Sequence, residues 1–406
     1  MRHRGHPAAA AMTPETKPLL GDESSSPSGC QYVANKSLNT AAHFTSALPL
    51  TTATITTRGS GGGGGGAHHL PQAIAHRGFK AQYPENTLLA FRAALDEAGA
   101  HALETDLHLS RDGVVVLSHD GNLKRCFGIE DKKINECDWS YLKTLETVRE
   151  PRQRMPRLED LLGLLAEEGR EGVWVLLDIK TDDPPAELLG RVADVLASTP
   201  GPVPWNERIV FGCWNQPYIT HVRTILPAYP ISLISWSPLY ARNFLTPKQP
   251  NLSFNMFQKS LVGPVGKLFI RDVKKNRRQL FVWTVNDEEW MEWSIRAGAD
   301  GVITDDPELF REVCKRWEGK GEGASTSTST STSVPSGERE VDADEKARAA
   351  RRTGRVRDGT WKRTARLYLE VAGIQVLVAV FTPILMLVAR FGVVGPGPKA
   401  AKALKL

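Results

Sequence analysis

Short β-rich runs alternate with helical stretches, roughly eight strands over about 245 residues, and predict an α/β protein with a TIM-type (β/α)8 barrel. The chemistry-bearing motifs point the same way, because each falls where a strand should end, and barrels carry their sites at that edge. The flanks differ in composition from the barrel and bound it. A doubly wound open sheet shares the alternation and is the alternative. The expected organisation is a disordered segment over 1–70, the barrel over 71–318, a Ser/Thr-rich linker over 319–345, a basic juxtamembrane segment over 346–368, a membrane-anchor helix over 369–391 and a short basic tail over 392–406.

In chain order, Ala73–Ala75 reads as the first strand, and Asn86 as the N-cap of a helix over Thr87–Ala98. Ala102–Leu109 is a strand with Leu103, Thr105, Leu107 and Leu109 on one face and Glu104, Asp106 and His108 on the other. Val114–Ser118 reads as the third strand, Leu158–Glu167 as a helix and Val173–Ile179 as an apolar strand. Helix Ala186–Ala197 leads to strands Ile209–Gly212 and Ile231–Ser235, and the stretch around Asn251–Phe257 is ambiguous. Strand Leu280–Thr284 with helix Asp287–Ala297, then strand Gly301–Thr304 with helix Pro307–Trp317, complete the series.

Outside the barrel, residues 1–70 are rich in Ser, Thr, Ala and Gly, and contain the run Gly61–Gly66; they bury too little apolar surface to order themselves. His3-Arg4-Gly5 copies a later triplet but has no strand before it and no acidic partners after it. The 41% hydrophobic and 24% charged fractions are ordinary for a soluble protein. The net charge of +5 is uneven: residues 338–406 hold 14 Lys/Arg against 7 Asp/Glu, a net +7, leaving −2 elsewhere. The basic balance therefore belongs to the tail and says nothing about nucleic acid at the barrel. Five scattered cysteines without metal-type spacing read as reduced thiols. No secretory signal is visible, and the start Met1-Arg2-His3-Arg4 has transit-peptide character that Glu15 opposes.

The chemistry concentrates within 45 residues, from His76-Arg77-Gly78 through Pro84-Glu85-Asn86-Thr87 and Glu104-Thr105-Asp106 to Ser118-His119-Asp120. Two imidazoles can share proton removal and proton delivery at neutral pH. Carboxylates two apart on a strand share a face, and a buried pair demands a cation, here a hard one with oxygen ligands such as Mg²⁺ or Ca²⁺. A salt-bridged barrel rim is the structural alternative for that strand taken alone. Asp178 and Lys180 end an apolar run on one face, offering a third carboxylate and a phosphate partner. Arg77 beside His76 is a fork-shaped phosphate donor, and Asp120 can orient His119. The set suits metal-assisted phosphoryl transfer.

These motifs, with Met155-Pro156-Arg157-Leu158-Glu159-Asp160, Trp283-Thr284-Val285-Asn286 and Ala299-Asp300-Gly301-Val302-Ile303-Thr304-Asp305-Asp306-Pro307, resemble the glycerophosphodiester phosphodiesterase family over residues 72–317. The resemblance implies a metal-dependent β/α barrel. His76 and His119 would be the acid/base pair, and Glu104, Asp106 and Asp178 would hold the cation. Arg77 and Lys180 would lie near the phosphate, Glu85 and Asn86 would support the site, and Trp283 would line the substrate pocket. Asp178-Ile179-Lys180 departs from the family's Glu-x-Lys, which makes Asp178 the weakest ligand assignment. Within the family the layout resembles the fungal phosphatidylglycerol phospholipase C group.

Residues 371–389 carry no charge, and a helix of that length reaches roughly 28 Å, close to a hydrocarbon core. Gln375 and Pro383 weaken it. Seven Lys/Arg between Arg351 and Arg366 lie just upstream, which fits anionic headgroups and a cytosolic face. The expected partners are a phospholipid substrate and a membrane of the endoplasmic reticulum, mitochondrion or lipid droplet, with no nucleic acid. An amphipathic helix docked on the barrel is the alternative for this segment. Soluble glycerophosphodiesters or a lysophospholipid are the alternative substrates. A barrel that binds phospholipid without turnover is the other alternative, and its signature, a missing histidine or acid, is absent apart from the change at Asp178.

Overall fold

The structure is a computed structural model, and it describes residues 70–322 together with 369, 371–373 and 376. Eight parallel strands close into a ring: β1 (Gln72–His76), β2 (Ala102–Leu109), β4 (Trp174–Ile179), β5 (Ile209–Cys213), β6 (Ile231–Ser235), β7 (Leu252–Phe257), β8 (Leu280–Trp283) and β9 (Gly301–Thr304). Pairing of β1 with both β2 and β9 closes it, so the expected barrel is the observed one and the open sheet is excluded.

The strand expected over Val114–Ser118 is not a barrel strand. It shrinks to β3 (Val115–Leu117) and runs antiparallel to β2, with Leu107 opposite Leu117 and Leu109 opposite Val115. The reason is length. β2 has eight residues, and β1 pairs with it only from Ala102 to Glu104, so its far end overhangs the rim and β3 covers the exposed ladder. The ambiguous stretch supplies the missing barrel strand instead, as β7, whose six residues are all buried.

Alternation sorts the side chains of each strand. Ile74, Ala102, Trp174, Leu176, Val210, Phe281 and Ile303 pack together inside the ring, while Leu103, Leu107, Val175, Leu177 and Phe211 face the helices. The helices are α1 (Leu88–Asp96), the short α2 (Lys124–Phe127) and α3 (Trp139–Leu142), α4 (Leu158–Leu165), α5 (Pro185–Ser198), α6 (Gln216–Ile225), α7 (Pro238–Arg242), α8 (Pro264–Lys275), α9 (Glu288–Arg296) and α10 (Pro307–Glu322). In α4, Leu158, Leu161, Leu162 and Leu165 are fully buried, each stabilising the layer by about 1.5–3 kcal/mol. The insert between β3 and α4 has its own small core of Val116, Leu123, Phe127, Ile134, Cys137, Leu142 and Met155.

Asn86 does not cap the first helix. Thr87 does, its hydroxyl oxygen accepting from the Ala90 amide, while Asn86 stands in the left-handed region at φ 54° and turns its side chain toward the strands. The four described cysteines, Cys126, Cys137, Cys213 and Cys314, form no disulfide. The expected disordered segment (apart from Leu70), the Ser/Thr linker beyond 322, the basic segment and nearly all of the anchor lie outside the described residues. Among the described residues no helix is long and apolar enough to cross a membrane.

Candidate active site

Strand register assembles the acidic centre. Asp106 on β2 is the direct neighbour of Asp178 on β4, and Glu104 on β2 is level with His76 on β1. Interior-facing positions two apart on β2 then place Glu104, Asp106 and Asp178 together, with carboxylate oxygens all within 4.8 Å of one another and all three residues buried. The sequence-expected triad is therefore brought together, Asp178 included.

Two cations answer these three acids. Lys180 Nζ lies 2.6 Å from Asp106 Oδ1 and pairs with Asp178, and Arg77 Nε lies 3.2 Å from Asp106 Oδ2. Arg77 also binds Glu85 at 3.0 Å, so both expected phosphate donors are engaged with carboxylates. Asn86 Nδ2 donates to Asp106 Oδ2 at 2.9 Å, and the Trp214 indole donates to Asp178 Oδ1 at 2.8 Å.

The charges do not balance, and the protonation preferences record it. Burial pushes the Glu104 carboxyl well above its usual range, with Asp106 adding to the push. Burial also raises Asp178, while Lys180 and Arg77 overcome it at Asp106 and hold that group well below. Asp106 Oδ1 accepts no aligned hydrogen bond despite its closeness to Lys180. Three buried oxygen donors with surplus negative charge fit a hard divalent cation.

Both histidines face the same cavity of about 660 Å³ that the triad lines. His76 ends β1 as expected. His119 does not end a strand; it lies two residues beyond β3, on the loop that opens the insert. Each ring is backed by a carboxylate at Nδ1: His76 by Asp305 at 2.5 Å and His119 by Asp120 at 3.0 Å. Each carboxylate meets a cation in turn, Asp305 with Lys80 at 3.1 Å and Asp120 with Arg125 at 2.6 Å. Each ring thus engages Nδ1 with a carboxylate and keeps Nε2 for another partner. Burial lowers both imidazoles to about 4, aided by Arg77 at His76 and Lys180 at His119. Both rings are thus neutral near pH 7.

Glu85 joins the two halves by accepting from Arg77 and, at 2.7 and 2.8 Å, from Arg125. His108, on the same face of β2 as the acids, is buried against Asp183 at 2.7 Å. The opposite wall is apolar: Trp283, its indole held by the Asn255 carbonyl, meets Trp214 edge-on at 5.8 Å, beside Ile234 and Ile303. Sequence reading missed Asp305, Lys80, Arg125 and Trp214. Asp305 lay inside a quoted motif, but no spacing rule tied it to a ring 229 residues away.

Two neutral rings, a surplus of carboxylate oxygen and nearby cations suit displacement at phosphorus, and they place this protein among the phosphoric diester hydrolases. A profile described as the Glycerophosphoryl diester phosphodiesterase family matches residues 76–309, more than half of the chain, and the chain belongs to that family. It is 29% identical over 248 residues to a glycerophosphodiester phosphodiesterase of Caldanaerobacter subterraneus, a match covering 60% of this chain and 97% of that one. It is 27% identical to lysophospholipase D GDPD1 of Homo sapiens, across 60% of this chain and 86% of that one. The crystal structure of a glycerophosphodiester phosphodiesterase from Thermotoga maritima is similar at TM-score 0.50 and 28% identity, covering 61% of this chain and 99% of that one.

Proposed function

We propose that this protein hydrolyses phosphodiesters in which one alcohol is glycerol, and that phosphatidylglycerol, cleaved to diacylglycerol and glycerol phosphate, is its substrate. The observation that carries the chemistry is the pair of carboxylate-backed imidazoles lining one cavity with the acidic triad. One neutral imidazole takes the proton of the glycerol 2-hydroxyl as that oxygen attacks phosphorus. The other, protonated in the substrate complex by the pull of the phosphate charge, delivers a proton to the departing alcohol oxygen. Water then opens the cyclic glycerol phosphate with the two roles exchanged. Asp305 and Asp120 hold the rings in the tautomer this needs. Glu104, Asp106 and Asp178 would hold Mg²⁺ or Ca²⁺, which when bound supplies positive charge to the phosphoryl oxygens. Arg77 and Lys180 keep the carboxylates in place and add positive charge at the edge of the phosphate site.

The lipid reading rests on the basic segment before the uncharged run at 371–389, which would hold the barrel at an anionic surface. A second reading, a soluble glycerophosphodiester or a lysophospholipid, is supported by the names of the relatives just given. Release of glycerol phosphate from phosphatidylglycerol vesicles and from glycerophosphocholine, measured with the full chain, separates them. Faster turnover on vesicles supports the phospholipase reading, and turnover confined to the soluble diester removes it.

A further inference from the structure

Among the described residues, several side chains bury a polar atom without a hydrogen-bond partner, and three of these residues line the cavity: Arg77, Asp106 and Asn255. Arg77 Nε and Asp106 Oδ1 are answered by ion pairs, the first at 3.2 Å to Asp106 Oδ2 and the second at 2.6 Å to Lys180. Asn255 Oδ1 is not. The residue is 3% exposed, and its amide oxygen meets no donor. A buried amide left in this state costs free energy that a bound ligand can recover.

The strands around it are fixed. β7 is paired on both sides, with Ile234 of β6 and Phe281 of β8 directly beside Asn255. Ile234 lines the cavity and Phe281 belongs to the packed layer inside the ring, so the amide lies at the cavity floor. The Asn255 carbonyl accepts from the Trp283 indole at 3.0 Å, and that ring leans on Phe257 at 5.4 Å. Half a turn about the last side-chain bond exchanges the amide oxygen and nitrogen, so the group can present an acceptor or a donor. It stands on the indole side of the cavity, whereas the carboxylate triad comes from β2 and β4.

Chemistry selects what this amide can hold. Phosphoryl oxygens only accept, and the cations that suit them, Lys180 and Arg77, lie with the triad. A trimethylammonium group offers an amide neither an N–H nor a lone pair, and an acyl chain offers nothing polar. A hydroxyl both donates and accepts, and the carbon faces of a small polyol suit an indole wall. In the proposed reaction one glycerol oxygen is esterified to phosphorus and the 2-hydroxyl attacks it. The terminal hydroxyl is the one left for the amide.

We propose that Asn255 is a specificity-determining residue that binds the terminal hydroxyl of the glycerol moiety. The inference rests on the glycerol-diester reading and holds equally for phosphatidylglycerol and glycerophosphocholine, since both leave that hydroxyl free. It turns the site against a lysophospholipid acylated on that oxygen, which has no hydrogen to donate and brings an acyl chain against a buried polar group.

Titration calorimetry of the full chain with Mg²⁺ or Ca²⁺ tests it, using glycerol phosphate and propane-1,2-diol phosphate, which keeps the 2-hydroxyl and lacks the terminal one. The wild-type chain should bind glycerol phosphate about tenfold more tightly. Asn255→Leu, close in shape, should abolish that preference, and Asn255→Asp, which keeps an acceptor, should retain it. Equal affinities in the wild-type chain overturn the proposal without any variant. So does a preference that survives in Asn255→Leu, or one lost from Asn255→Asp, which would leave Asn255 a packing part only. Failure of the glycerol-diester reading would show separately, as a binding preference without hydrolysis of either glycerophosphocholine or phosphatidylglycerol.

Discussion

His76 and His119 are neutral because they are buried beside cations, and that has a measurable consequence for folding. In the unfolded chain each takes up a proton near 6.5, but in the folded one only near 4. Between those values the unfolded state binds more protons, so stability falls as pH drops from about 6.5 toward 4. His101, lowered to about 4 by burial and then by Arg311, acts in the same direction. Glu85, held to about 2 against burial by Arg125 and Arg77, adds its loss as pH falls from 4.5 toward 2. Glu104 and Asp178, raised by burial, act in the opposite direction over part of this range. The histidine contribution is therefore read by difference: His76→Gln should make the decline of melting temperature between pH 6.5 and 4 shallower than in the wild-type chain, and an unchanged profile would contradict this electrostatic account. Asp305→Asn removes the carboxylate behind His76 and should lower kcat by about 10²–10⁴ with little change in KM, because the ring loses its enforced tautomer. Equal losses in kcat and folding stability would assign Asp305 a structural part only. Trp214→Phe keeps the ring but deletes the donor to Asp178, and should weaken divalent-cation binding by about 10–100-fold in calorimetry.

Single elements explain what was readable and what was not. The face of β2 bearing Glu104 and Asp106 was legible from alternation alone, since a two-residue period leaves no freedom about which side chains meet. The fate of β3 was not, because an antiparallel overhang has the same composition as a short barrel strand and only the mismatch between β1 and β2 distinguishes them. At the start of α1, two adjacent residues both have the chemistry of a cap. Thr87 takes that part, and the left-handed backbone at Asn86 turns its amide to Asp106. Thr87→Ala should thus cost about 1 kcal/mol in denaturant unfolding and spare activity, whereas Asn86→Ala should lower cation affinity. The opposite assignment would follow if Asn86→Ala were the more destabilising and left cation binding intact. Gly266 packs α8 onto the preceding turn: a Cβ there would sit 1.9 Å from the Leu261 carbonyl oxygen. Gly266→Ala should be among the most destabilising single changes in the barrel, which expression and thermal melts can check.

At the scale of the molecule, the barrel and its cavity hold the catalytic groups, and on the proposed lipid reading charge outside them would govern where they act. The residues before 338 and those from 338 onward differ in net charge, −2 against +7, so on the proposed reading attraction to an anionic surface would come from the latter. Removing residues 338–406 should lower hydrolysis of anionic vesicles about tenfold or more while leaving a soluble diester untouched. Equal activity of both forms on vesicles would show that the segment has no part in substrate access. The barrel itself was legible because its strands and motifs recur in order, and the site because five of its groups sit at two-residue spacings or strand ends. Asp305 and Trp214 lie one residue past the ends of β9 and β5, and no pattern along the chain connects them to His76 or Asp178.

In the proposed reaction two imidazoles and a cation-binding triad act on one phosphate in one cavity. Phosphorus NMR of a glycerol-containing diester incubated with the full chain tests it most directly, run with Mg²⁺ or Ca²⁺, with excess chelator, and with His76→Ala or His119→Ala. Glycerol phosphate should accumulate with the cation and wild-type chain, and fall by about 10²-fold or more in either variant and in chelator. Undiminished product in any one of those three would contradict the account.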